Sequence, residues 1–195
     1  MSYSAERFET ASSFDAGTSL LLSGNTMDTS EHLLDVVTPE PDEQAIVITT
    51  KTAASTVLSE LENRGALREQ LGIIDCTGQE SAVDDVPIRA LGSPGDLTGI
   101  SLEFAKLLSE LGEDRPVRVG FNSVSTTLMY TELRTMFRFL HVFTARIRSG
   151  RMFGAFAVDP SMHEPQAHNT LRAVFDCEAE IGDDGVTLRG TGFQR

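Results

Sequence analysis

The 195-residue chain has no tryptophan and only two tyrosines, and its only lysines are Lys51 and Lys106. Fourteen of its sixteen basic residues are therefore arginine. Cysteine is as scarce, at Cys76 and Cys177 alone. They form no CxxC pair and stand in no His/Cys cluster, which argues against a zinc site. Each follows an aspartate beside apolar residues, the setting of a buried strand end. A disulfide between them is not expected in a reducing compartment. No apolar run approaches the roughly 18 residues that cross a bilayer. Met1–Phe8 lacks the basic-then-apolar pattern of a secretory signal. A cytoplasmic location away from membranes is expected. Internal repeats and low-complexity tracts are also missing.

Acid, in contrast, is plentiful: 29 Asp and Glu give a net charge of −13. Nonspecific nucleic-acid binding needs clustered cations to neutralise phosphates, so this balance argues against it. Many carboxylates with almost no lysine point to a salt-accumulating, halophilic cytoplasm. In molar salt the Debye length falls to about 3 Å, and the self-repulsion is screened. The length suits one domain with a full core.

Apolar runs at 19–23, 45–49, 71–76, 88–91, 117–121, 153–158, 174–181 and 186–190 read as strands. Helical spacing occupies residues 29–37, 52–64, 98–111, 127–148 and 160–172. Asp28 or Thr29 is the expected cap of the first helix. Asp183-Asp184-Gly185 signals a hairpin, and residues 79–87 read as an acidic loop. Residues 1–13 are expected to be a flexible segment or a short helix ahead of a single domain over 14–195. Continuous apolar strands alternating with helices predict an α/β, three-layer α/β/α domain. Its sheet is mostly parallel, with antiparallel strands at the C-terminal edge.

Gly17–Leu34 has the layout of a strand, a glycine turn and a helix start. With Ile46–Thr50 and Val117–Ser125, it resembles the RecA-like, KaiC-like P-loop ATPases. The order of elements over about residues 14–190 extends the resemblance. It implies a phosphate loop starting at Gly24, an acidic general base near Thr50-Lys51, and a magnesium-binding aspartate at position 122.

This chain departs from each of those elements. A phosphate loop needs curled amides, a lysine for the outer phosphates and a Ser/Thr on magnesium. The corresponding residues are Thr29 for the second glycine, Ser30 for the lysine and Glu31 for the hydroxyl. Thr50-Lys51 offers no base, and Asn122 is neutral. The chain is expected to be a degenerate member that does not hydrolyse ATP. Gly24, Asn25, Thr29, Ser30, Glu31 and Asn122 mark its vestigial nucleotide site. No cofactor is expected; the alternative is weak ATP binding at the helix N-terminus.

Residues 133–158 contain no Asp or Glu but carry Arg134, Arg138, Arg146, Arg148 and Arg151. The helical spacing places Arg134, Arg138, His141 and Arg148 on one face. That face is a candidate interaction surface; the alternative is a helix that neutralises its own acidic neighbours. His163 and His168 are separated by five residues, not the four that align two imidazoles for zinc. No metal is expected. The resulting expectation is a non-catalytic regulatory or signalling module that meets a protein partner or further copies of itself.

Overall fold

A computed structural model describes residues 1–8, 10–79, 83–112 and 114–195. Residues 80–82, inside the loop expected over 79–87, lie outside the described residues, as do 9 and 113. The elements in order are β1 (Ser2–Ser4), β2 (Ser13–Asp15), β3 (Ser19–Ser23), α1 (Thr26–Val37), β4 (Gln44–Thr49), α2 (Ala54–Asn63), β5 (Leu71–Asp75) and β6 (Ile88–Ala90). Next come α3 (Leu97–Leu111), β7 (Val117–Asn122), α4 (Val124–Leu128), α5 (Leu133–Ser149), β8 (Phe153–Val158) and α6 (Pro165–Arg172). The chain closes with β9 (Cys177–Gly182), β10 (Gly185–Gly190) and β11 (Phe193–Gln194).

The main sheet runs β10-β9-β3-β8-β7-β4-β5-β6. All neighbours are parallel except β9 and β10, which form the hairpin turned at Asp183-Asp184. The expected parallel sheet with an antiparallel C-terminal edge is thus present. β3, β4, β5, β7 and β8 are buried along their whole length, so their side chains feed two cores alternately. Leu20, Leu22, Val47, Phe153 and Ala155 pack under α1 and α2. Leu21, Ile48, Val119, Phe121 and Phe156 pack under α3, α5 and α6. Gly120 lets α1 lie close to the sheet, because a Cβ there would stand 3.2 Å from Leu33 and Val37.

The N-terminal segment differs from the expected loose or helical start. β1 and β2 form a small antiparallel sheet with β11. Tyr3, Phe8 and Phe14 are buried in the α1-side core, and Phe14 stacks on Phe153 at 4.7 Å. Arg118 of β7 fixes this layer. Its guanidinium is buried and donates to Glu43 and to the carbonyls of Ser4 and Val36. The helix expected over 127–148 is two helices, because Met129 closes α4 and Glu132 opens α5. The strand expected from residue 174 begins at Cys177, three residues later. Both cysteines are buried and free. Among the described residues no helix is long and apolar enough to cross a membrane.

Candidate functional site

The strand order reverses direction around β3, β8, β7 and β4, and the carboxyl ends of these strands converge. This is the usual position of a ligand crevice in an open parallel sheet. Four short segments meet there: Gly24-Asn25 after β3, Thr50-Lys51 after β4, Asn122-Ser123 after β7 and Asp159 after β8.

No extended loop separates β3 from α1. Gly24 and Asn25 alone connect them, and the helix starts at Thr26. The cap is therefore Asn25, not Asp28 or Thr29: its Oδ1 accepts from the amides of Met27 and Asp28 at 3.1 and 3.0 Å. The Asn25 carbonyl accepts from the Thr29 amide at 3.0 Å. Of the amides that this helix N-terminus could offer to an anion, those of Met27 and Asp28 are taken up by the cap. Gly24 is required by close approach, since a Cβ there would stand 2.7 Å from the Ile181 carbonyl oxygen.

Ser30 and Asn122 come together: the Ser30 hydroxyl donates to Asn122 Oδ1 at 3.3 Å and to the Thr26 carbonyl at 2.7 Å. Lys51 completes the cluster. Its Nζ donates to Ser30 Oγ at 2.7 Å and to the Thr26 carbonyl at 3.2 Å. Burial pushes the Lys51 pKa down, opposed by the charge of Asp159. Asp159 accepts from the Thr26 hydroxyl at 2.8 Å and from the Ser161 amide and hydroxyl. Burial raises its pKa, but these hydrogen bonds outweigh burial and hold the carboxyl below its usual range. Thr50 Oγ1 ties the strand ends by accepting from the Ser123 amide and donating to the Ser123 carbonyl.

Two expected members stand apart from this cluster. Thr29 is buried, and its hydroxyl returns to the carbonyls of Asn25 and Thr26. Glu31 points away from Lys51 and pairs with Arg64 beyond α2, because one residue along a helix turns the side chain by about 100°. Its expected place beside the phosphate position is corrected accordingly. Lys51 and Asp159 carry the charge of the site. Asp159 follows directly on the apolar strand β8, a sequence signal that could have identified it.

Beside the cluster opens a cleft of about 610 Å³, bordered by Leu128, Leu133, Met162, His163 and Gln166. Burial lowers the His163 pKa, an effect opposed by Asp159 and reinforced by His168. His168 bonds Glu178 at 2.9 Å, and Arg172 reaches the other oxygen of that carboxylate at 2.7 Å. Among the described residues no group of three or more His, Cys, Asp or Glu is placed to hold a metal ion.

On the α5 surface Arg134, Arg138, His141 and Arg148 are all exposed. Arg148 pairs with Asp176 at 2.5 Å. Among the described residues Arg134 and Arg138 have no ion-pair partner. Arg146 turns inward over the Phe104 ring at 5.1 Å.

The fold is shared with solved proteins of the archaeon Pyrococcus horikoshii. The PH0250 protein superposes with a TM-score of 0.67 at 16% identity, covering 96% of this chain and 92% of its own. The KaiC-like protein PH0186 gives 0.64 at 10% identity, covering 92% and 82%. The PH0321 protein, solved in complex with an unknown peptide, gives 0.62 at 12% identity, covering 91% and 85%. At these identities the likeness establishes a RecA-like, KaiC-like fold. No curated protein matches the sequence. A family model described as a family of unknown function, DUF7504, matches residues 17–181.

Proposed function

The chain belongs to the DUF7504 family, and from that premise we propose that it is a non-catalytic RecA-like module acting through protein contacts in regulation or signalling. The observation that carries this reading is the self-satisfied turn between β3 and α1. A phosphate group binds a helix N-terminus through free amides and a nearby cation. Here the Asn25 side chain occupies the Met27 and Asp28 amides, and the Lys51 ammonium donates to Ser30 and Thr26. Asn122 supplies a neutral amide where a magnesium ion calls for carboxylate. The architecture of a nucleotide site is kept while its interior is filled by the chain itself. The peptide on the similarly folded PH0321 protein supports a contact role for such a scaffold. The acid-rich, lysine-poor surface suits the cytoplasm of a salt-accumulating organism.

A second reading, ATP binding with little or no hydrolysis, is favoured by one observation: Lys51 places a cation at the head of α1. Two assays separate the readings. One is phosphate release from ATP in molar KCl; the other is co-purification of the tagged chain from cells at native salt. The contact module predicts no release above blank and one partner at fixed stoichiometry. Release that a Lys51→Met substitution abolishes refutes it.

A further inference from the structure

We propose that the solvent face of α5 docks an acidic helical segment of a separate partner protein. This deepens the contact-module reading and rests on it. The buried side of α5 is apolar, with Met136, Leu140, Phe143 and Ile147 in the core. Its outer side carries Arg134, Arg138, His141, Val142 and Ala145, all exposed. Arg134 and Arg138 are one turn apart, so both guanidinium groups point to the same side. His141 is held against the Phe137 ring, with the two planes 9° apart. Val142 is 69% exposed and offers an apolar contact beside the charges.

Charge identifies the occupant. The chain holds 29 carboxylates against 16 cations, and seven of its fourteen arginines, Arg148 among them, meet a carboxylate among the described residues. Arg64, Arg68, Arg89, Arg118, Arg172 and Arg189 each bind a carboxylate inside the chain. Arg134 and Arg138 do not, among the described residues, and residues 133–158 supply no carboxylate to them. The complement to this face is an external pair of carboxylates at one-turn spacing. Each can accept a forked guanidinium, with a leucine-sized side chain against Val142. From Arg134 to Ala145 the face spans about 16 Å at 1.5 Å per residue, three turns of a partner helix. In molar salt only charges in direct contact escape screening. The paired guanidinium geometry and the Val142 contact, not the overall field, would hold the complex.

The test is fluorescence anisotropy in molar KCl with the full chain. The probe is a labelled helical peptide with glutamates one turn apart and one leucine. Its companions are the same peptide with glutamine for glutamate and a single-stranded DNA oligomer. Saturable binding of the glutamate peptide is expected, weakened by about tenfold or more with the glutamine peptide and with Arg134→Glu/Arg138→Glu. Arg134→Lys/Arg138→Lys should weaken it less, because lysine keeps the charge and loses the fork. Both residues are exposed, so the variants should melt with the parent chain. No saturation, equal binding by the charge-reversed variant, or preference for DNA overturns the proposal. Self-association lost in that variant, measured by light scattering, overturns the choice of a separate partner. Titrating the same samples with ATP keeps the two levels distinct. Nucleotide binding removes the module reading, whereas failure of peptide binding alone removes only the α5 surface.

Discussion

Replacing Arg118 by methionine should destabilise the protein by about 3–5 kcal/mol, the usual cost of stranding one member of a buried ion pair. Arg118 and Glu43 are 2% and 8% exposed. The guanidinium binds both carboxylate oxygens and donates at 3.0 and 2.8 Å to the carbonyls of Ser4 and Val36. Methionine matches much of its volume but supplies none of these donors. Among the described residues Glu43 would keep only the Glu40 amide, at 3.0 Å, as a hydrogen-bond donor. A domain of this size loses roughly 2–4 °C in Tm per kcal/mol, so Tm should fall by about 6–20 °C. Because the pair is buried, molar salt should not remove the effect. The double variant Arg118→Met/Glu43→Leu should recover most of the loss, since an apolar pair can replace a buried ion pair at little cost. Thermal and urea unfolding in molar KCl measure all three proteins. A single variant within about 1 kcal/mol of the parent, or a double variant worse than the single, refutes the reasoning.

Other perturbations probe the strand-end cluster. Asn25→Ala removes the α1 cap and should cost about 1 kcal/mol, read from the urea midpoint. Gly24→Ala drives a Cβ into the Ile181 carbonyl and should cost about 1–3 kcal/mol, with the β9–β10 hairpin becoming easier to cleave in limited proteolysis. His163 has a lowered pKa in the fold, from an ordinary value of 6.5. Just below that value the unfolded chain therefore binds more protons than the folded one. Stability should rise with pH through this window and fall as pH drops, and His163→Gln should flatten that slope in a pH series of melting curves.

Much of the architecture was legible because the central strands are unbroken apolar runs and the helices carry clean apolar stripes. The hairpin was legible from Asp183-Asp184-Gly185. The small sheet was not, because β2 pairs with β11 almost the whole chain away, and neither strand is long enough to show a period. The break between α4 and α5 was hidden because apolar spacing continues across it. At the break, Gly95 packs against Tyr130: a Cβ there would stand 2.9 Å from that side chain. Arg118 in Val-Arg-Val reads as a strand with one wet face; burial of both faces turned it into an internal tie. At the candidate site, Ser30 and Asn122, both singled out in the sequence, lie within a hydrogen bond of each other, whereas Gly24 follows β3, one strand removed from β7. Lys51 as a donor into α1 and Asp159 as its neighbour depend on which strands lie side by side, whereas the Asn25 cap is local. The helical register alone sends Glu31 to Arg64.

The most direct test of a self-filled nucleotide site is calorimetric titration of the full chain with ATP in molar KCl, with and without magnesium. The account predicts no saturable heat and no rise in Tm at millimolar nucleotide. Saturable binding in the micromolar range, strengthened by magnesium and lost in Lys51→Met, would contradict it.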